Sequence, residues 1–196
     1  MVAARKSSPY NYPHQCPLEV FLIMQSPQYP KRKNPRLIDY DYSLAGMYFL
    51  TICAKDMKHC FGDIVGVEMQ MSDIGEIVED VYKQHIASYG TIEDICHVVM
   101  PNHFHCLVLF TEHHVVSVQQ FVRSFKAKVT QECNKRNLKV EGCDKDGRIW
   151  QQNFHDHIVR GYEDYQNIAD YIVKNPERWN DDCFNENHHV PTHPKQ

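Results

Sequence analysis

Along this chain the spacing of hydrophobic positions changes from one stretch to the next, and each change predicts an element. Residues 47–54 (MYFLTICA) are a nearly unbroken run of aromatic, β-branched and other apolar side chains, which predicts a buried strand. Gly62 and Gly66 punctuate a short second extended piece, 63–67. Ser72 then stands where an N-cap belongs, with Asp73 and Glu76 in the first turn. Ile74, Ile77, Val78, Val81, Tyr82 and Ile86 follow at helical spacing, and Gly90 stops the helix. Two strands come next, about 92–100 and 103–110, joined through Pro101-Asn102, residues that favour a tight turn. Ser117 caps a second helix running to about 137, with Val118, Phe121, Val122, Phe125 and Val129 as its apolar stripe. Beyond a polar loop, 141–147, and Trp150, a short strand near 154–160 leads to a break at Gly161. A third helix, 163–174, ends where Pro176 forbids its continuation.

The order strand, helix, strand, strand, helix, strand, plus one further helix, is the β-α-β-β-α-β arrangement of a ferredoxin-like antiparallel sheet, an α+β fold. In that topology the first and third strands are central. With two helices on one face, the other face is free to hold a site that the last helix can cover.

The periodicity fails at both ends. Residues 1–36 carry Pro9, Pro13, Pro17, Pro27, Pro30 and Pro35, the pattern of an extended arm. From residue 180 a polar tail follows, with His188, His189 and His193. The expected domain is therefore 37–179. Apolar residues make up 42% of the 196, enough for one real core. No apolar run approaches a membrane span, and the basic start lacks the apolar region of a secretory signal, so a cytoplasmic protein is expected. The chain is too long and core-rich to need its eight cysteines as disulfides, and no C-x-x-C pair suggests a thiolate zinc site.

Net charge is −4, which argues against a protein coated in nucleic acid, but its distribution changes that picture. Between residues 117 and 139, Arg123, Lys126, Lys128, Lys135, Arg136 and Lys139 face Glu132 alone. The second helix is thus a basic element able to grip a phosphate backbone, or simply a solvated face.

Two places carry candidate chemistry. His103-Phe104-His105 opens the third strand, where alternate residues share a face, so the two imidazoles point one way and Phe104 the other. The pair suits half of a metal site, and equally two polar groups on a half-exposed face. Tyr171 and Asn175, at i and i+4 near the end of the last helix, share one face of it. That pattern suits a packed tyrosine with an asparagine C-cap. It also suits a reaction centre: two histidines and an amide oxygen can hold Mg²⁺ or Mn²⁺, and a tyrosine one turn away can attack a phosphodiester. A phenol, with its reference pKa near about 10, leaves more readily than an alkoxide, so the covalent phosphotyrosine is reversible.

Over residues 39–179 the chain resembles the single-tyrosine HUH transposases of bacterial insertion sequences, the IS200-like superfamily, and their REP-associated tyrosine relatives. The resemblance is carried by DYDYSLAGMYFLTICAKDMKHCFGDI, MPNHFHCLV, SFKAKVTQECNKR, IWQQNFHDHIVR and DYIVKNPERW. It implies that His103 and His105 are metal ligands, that Asn175 is the third ligand, and that Tyr171 is the nucleophile. It further implies a divalent Mg²⁺ or Mn²⁺ ion, single-stranded DNA with hairpins as substrate and cleavage through a 5′-phosphotyrosine; the charge of the second helix makes Arg123, Lys126, Lys128, Lys135 and Arg136 the candidate DNA contacts. Insertion-sequence members act as dimers and REP-associated members as monomers, so the resemblance leaves both states open. Tyr162, with Gln166 at i+4, and Tyr165 are rival nucleophiles. The histidine-triad and cyclic-phosphodiesterase patterns are not met, because the chain lacks the further histidines and the paired His-x-Thr or His-x-Ser motifs they need. The alternative from another class is a DNA-binding regulator without catalysis.

Overall fold

The computed structural model describes residues 45–113, 115–139 and 148–185. The proline-rich arm, the 141–147 loop and the tail histidines His188, His189 and His193 lie outside the described residues. In order, the elements are β1 (Gly46–Cys53), β2 (Gly62–Val65), β3 (Glu68–Met71), α1 (Asp73–Ala87), β4 (Ile92–Val99), β5 (His103–Phe110), α2 (Val118–Lys135), β6 (His155–Ile158) and α3 (Tyr162–Lys174). Short 3-10 turns occupy Lys55–Met57 and Pro176–Asp181.

The main sheet is antiparallel in the order β4-β5-β1-β6, so β1 and β5 are its central strands, as the ferredoxin-like element order requires. β2 and β3 form a separate hairpin that turns at Gly66 with φ +68°, a conformation glycine adopts without steric cost. The sequence predicted only the first arm of this hairpin. Its second arm, Glu-Met-Gln-Met, has no β-branched or aromatic residue to mark it as a strand.

Strand alternation sorts the core into two layers. Tyr48, Leu50 and Ile52 of β1 and Phe104, Cys106, Val108 and Phe110 of β5 pack against α1 and α2. Phe104 meets the rings of Tyr82 at 4.8 Å and Phe125 at 5.4 Å, which fixes which way β5 faces. The opposite parity, Met47, Leu107 and Leu109, packs with Tyr165 and Ile172 of α3. His103 and His105 share that second parity and so lie under α3. Slipping β5 by one residue would turn both histidines into the apolar layer, and the buried phenylalanines oppose that slip.

Local signals set the helix ends. The Ser72 hydroxyl accepts a hydrogen bond from the Gly75 N–H, and Ser117 and Gln120 form a reciprocal capping box. Gly161, at φ +90°, bends the chain from β6 into α3, and Pro176 opens the 3-10 turn that brings residues after α3 back toward the histidines. None of the described helices is long and apolar enough to cross a membrane.

Between α1 and β4 lies a buried ion cluster. His97 donates from Nδ1 to Asp94 at 2.6 Å and from Nε2 to Glu79 at 3.2 Å, while Lys83 pairs with Glu79 at 2.8 Å. Burial works against the charged imidazole, but its two carboxylate partners win and raise the His97 pKa to about 9. Burial likewise works against the Glu79 carboxylate, and bonds from His97 and Lys83 overcome it, lowering its pKa to about 2. The raised histidine contributes stability that is complete below its ordinary 6.5 and is lost as pH rises through about 9. The lowered carboxylate contributes stability that is complete above its ordinary 4.5 and is lost as pH falls toward about 2. Urea unfolding should therefore give a higher free energy at pH 6 than at pH 9, by about 1–3 kcal/mol. His97→Gln should be less stable at pH 6 and should lose most of that alkaline decline. A parent protein with equal stability at both pH values would mean that His97 is neutral when folded.

Candidate active site

The turn between β4 and β5 does more than reverse the chain. Asn102 is fully buried, and its side-chain carbonyl accepts a hydrogen bond from Nδ1 of His103 at 2.8 Å. The same amide donates to the carbonyls of Met57 at 3.2 Å and Phe184 at 2.8 Å. An amide oxygen can only accept, so Nδ1 of His103 carries the proton and Nε2 presents its lone pair. That Nε2 is buried and has no hydrogen-bond partner.

His105 is held in the same way from β1. Its Nδ1 lies 2.9 Å from the Thr51 hydroxyl, opposite it in the register, and the Leu50 carbonyl also accepts from the ring. Nε2 is again the outward atom, and it lies 3.3 Å from the Tyr171 hydroxyl. The two rings are 4.4 Å apart. Burial drives both imidazoles toward the neutral form: His103 falls well below the ordinary value, helped by His105 and His59, and His105 falls to about 3. Neutral rings whose Nδ1 is held by a neighbour, with Nε2 turned to the centre, are the arrangement in which imidazole ligates a metal.

Helix α3 lays Tyr171 over this pair. Besides His105, its hydroxyl meets Asp182 Oδ2 at 3.4 Å, donating to the carboxylate. Burial and then the charge of Asp182 raise the Tyr171 pKa to about 12, so at neutral pH the phenol keeps its proton. The other two tyrosines of α3 are placed differently. Tyr162 is exposed and accepts from Gln166 at 3.0 Å, and Tyr165 packs into the apolar layer beneath the helix. Asn175, one turn beyond Tyr171, is buried; its amide lies close enough to Tyr171 to temper the rise in the phenol pKa, but neither amide atom makes a hydrogen bond of good geometry.

The residues sequence reasoning missed come from the chain after α3. The Pro176–Asp181 turn carries Asp182 to the histidines, and one ligand atom each from His103, His105 and Asp182 lie within 4.8 Å of one another. Phe184 follows, its ring 4.7 Å from that of His103, its N–H donating to Asp182 Oδ1 at 2.7 Å and its carbonyl bonded to Asn102. The polar tail expected from residue 180 therefore begins with residues built into the site. No signal in Asn180-Asp181-Asp182-Cys183 distinguishes a buried carboxylate from a solvated one.

Taken as a donor set, these residues fit a hard divalent cation. Two neutral imidazoles and a carboxylate converge, and the unpartnered His103 Nε2 is a buried polar atom that a cation would satisfy; the Asn175 amide is likewise buried and unpartnered.

The basic helix is elsewhere. α2 lies on the opposite face of the sheet from the histidines, packed with α1. Arg123 is exposed on it, and Lys135 and Arg136 pair with Glu132 in exposed bridges. Lys128 bonds Nδ1 of the buried His85 at 3.0 Å. Lys126 is already engaged: its ammonium donates to the carbonyls of Gln151 at 2.8 Å, Asn153 at 2.9 Å and Gln152 at 3.4 Å, which ties down the approach to β6. Charge patterning alone could not separate Lys126 from its neighbours.

Known proteins resemble both the sequence and the fold. The family described as "Transposase IS200 like" matches residues 47–175. A Haemophilus influenzae protein without an assigned function is 29% identical over 171 residues, 77% of this chain and 91% of its own length. A second protein of that organism, provisionally named a REP-associated tyrosine transposase, is 26% identical over 69% of this chain and 73% of its own. The Escherichia coli K12 REP-associated tyrosine transposase is 32% identical over 79 residues, 40% of this chain and 41% of its own. Among solved structures, a REP-associated tyrosine transposase bound to a REP hairpin has a TM-score of 0.55 at 20% identity, covering 74% of each chain, which shows a shared fold. With a family match that runs from the first central strand to the asparagine after α3, well over half its length, this chain belongs to the IS200-like transposase family.

Proposed function

We propose that this transposase cleaves and rejoins single-stranded DNA beside hairpins, with Tyr171 as nucleophile and a divalent Mg²⁺ or Mn²⁺ ion held by His103, His105 and Asn175. The observation that carries the reading is the Tyr171 hydroxyl 3.3 Å from a buried, neutral imidazole whose other nitrogen is fixed by Thr51. When bound, the ion supplies Lewis-acid polarisation of the scissile phosphate.

In this reading the phenol oxygen bonds to phosphorus, the bond to the 3′ oxygen breaks, and the phenol proton ends on the released 3′-OH. Attack of a 3′-OH on the phosphotyrosine reverses the exchange, so no nucleotide cofactor is consumed. Tyr171 rests protonated, and Asp182 accepts its hydrogen bond in the free chain. Asn102 and Thr51 act through the histidines by fixing which nitrogen faces the centre. The structural neighbour is bound to a REP hairpin, which fits a substrate of this kind.

Phosphate contacts are assigned to Arg123, Lys128, Lys135 and Arg136 of α2. Lys126 is left out because its three carbonyl partners already use its donors. A strand touching both α2 and the histidines has to pass around an edge of the sheet.

Two outcomes are expected. Incubated with Mn²⁺ and a hairpin-bearing single strand from the DNA flanking its gene, the parent chain should form an adduct that survives denaturing electrophoresis. Tyr171→Phe should bind the same DNA and form none, and His105→Ala should lose adduct formation as well. Full adduct formation by Tyr171→Phe would move the nucleophile elsewhere, and a parent chain that binds but never forms an adduct would favour the DNA-binding regulator. Separately, replacing Arg123, Lys128, Lys135 and Arg136 by Gln should weaken hairpin binding and flatten its dependence on log salt by about 0.7–0.9 for each phosphate no longer neutralised. An unchanged slope would take α2 off the DNA surface.

A further inference from the structure

The carboxylate of Asp182 has a physical problem that its neighbours pose and do not solve. It is 7% exposed, and none of the described ion pairs includes it. A buried anion without a cation is costly, and proteins keep such groups where a metal or a paired charge completes them. Its described hydrogen bonds come from the Phe184 N–H to Oδ1 at 2.7 Å and from the Tyr171 hydroxyl to Oδ2 at 3.4 Å. The first is short and fixes the carboxylate plane; the second is long and leaves Oδ2 available.

What lies opposite is a set of lone pairs without a cation. His103 Nε2 is fully buried and unpartnered, and ligand atoms of His103, His105 and Asp182 are within 4.8 Å of each other. Two imidazoles and the Asn175 amide are all neutral donors, so with them alone a divalent ion would keep its full charge in a buried site. One carboxylate removes half of that charge, and a hard oxygen anion suits Mg²⁺ or Mn²⁺.

We propose that Asp182 is an additional, anionic ligand of the divalent ion, supplied by the chain that follows α3, so that cation binding and the seating of residues 182–185 on the histidine strand are one event. The inference rests on the metal-assisted reading above and adds a ligand to it. Its structural basis is a closed circuit. Asn102 accepts from His103 through its side-chain carbonyl and donates to the Phe184 carbonyl through its amide N–H, the Phe184 N–H holds Asp182, and Asp182 faces His103. Each bond in that circuit orients a ligand, as outer partners of a metal site do. Asp182 also touches Tyr171, so the residue that binds the ion contacts the nucleophile directly.

The test uses the full chain without DNA and reads Mn²⁺ binding from the loss of the free-ion signal in electron paramagnetic resonance. Asp182→Asn keeps the shape of the side chain and its capacity to accept from Phe184 and Tyr171, but removes the charge. It should weaken Mn²⁺ at least tenfold, with a melting temperature in the absence of metal no lower than that of the parent. Mn²⁺ should also slow backbone hydrogen exchange over residues 182–185 in the parent and not in Asp182→Asn. Binding within twofold of the parent by Asp182→Asn, while His103→Ala loses binding, would overturn the assignment of Asp182 and leave the histidine site standing. A parent chain that binds no Mn²⁺ at millimolar concentration would overturn both.

Discussion

The buried side chain of Asn102 is the constraint on which this site depends. One amide holds the protonated nitrogen of His103, the carbonyl of Met57 after β1 and the carbonyl of Phe184 after α3. Three segments far apart in the chain thus meet at one residue, and the imidazole between them is locked with its free lone pair toward the centre. Without that bond His103 could present either nitrogen, and the segment bearing Asp182 would lose its tie to the strand. A buried polar group with satisfied partners specifies a unique arrangement in a way an apolar contact cannot.

The sheet supplies the rest of the rigidity. β5 is central, paired along its length with β1 and β4, and its alternate residues are committed to opposite layers by Phe104 on one side and Leu107 on the other. Thr51 reaches His105 only because the β1–β5 register sets them opposite each other. α3, started by the bend at Gly161 and stopped at Pro176, then lays Tyr171 across the pair. In the proposed reaction, a nucleophile carried on a packed helix over ligands carried on a central strand would have little freedom to miss.

Much of this was legible from sequence because its signals are local. Ser72 and Ser117 announce helix starts, His103-Phe104-His105 carries the period of a strand, and Tyr171 with Asn175 carries the period of a helix. What was not legible depends on distance. Asn102 reads as a turn residue, and only the fold reveals that its amide points inward. Asp182 sits among polar residues with no periodicity and reaches the site through a 3-10 turn no pattern predicts. Lys126 looks like any other cation on α2 until the carbonyls of residues 151–153 are found around it. The His97 cluster joins α1 to β4 across residues whose charges, in sequence, look solvated.

The central claim is that two neutral imidazoles, fixed by Asn102 and Thr51, turn Nε2 toward one divalent ion beneath Tyr171. Anomalous diffraction from a crystal soaked in Mn²⁺ tests it directly. The account predicts a single strong peak at bonding distance from Nε2 of both His103 and His105, with Tyr171 above it. A peak bonded through Nδ1, or a Mn²⁺ site away from this pair, would contradict it.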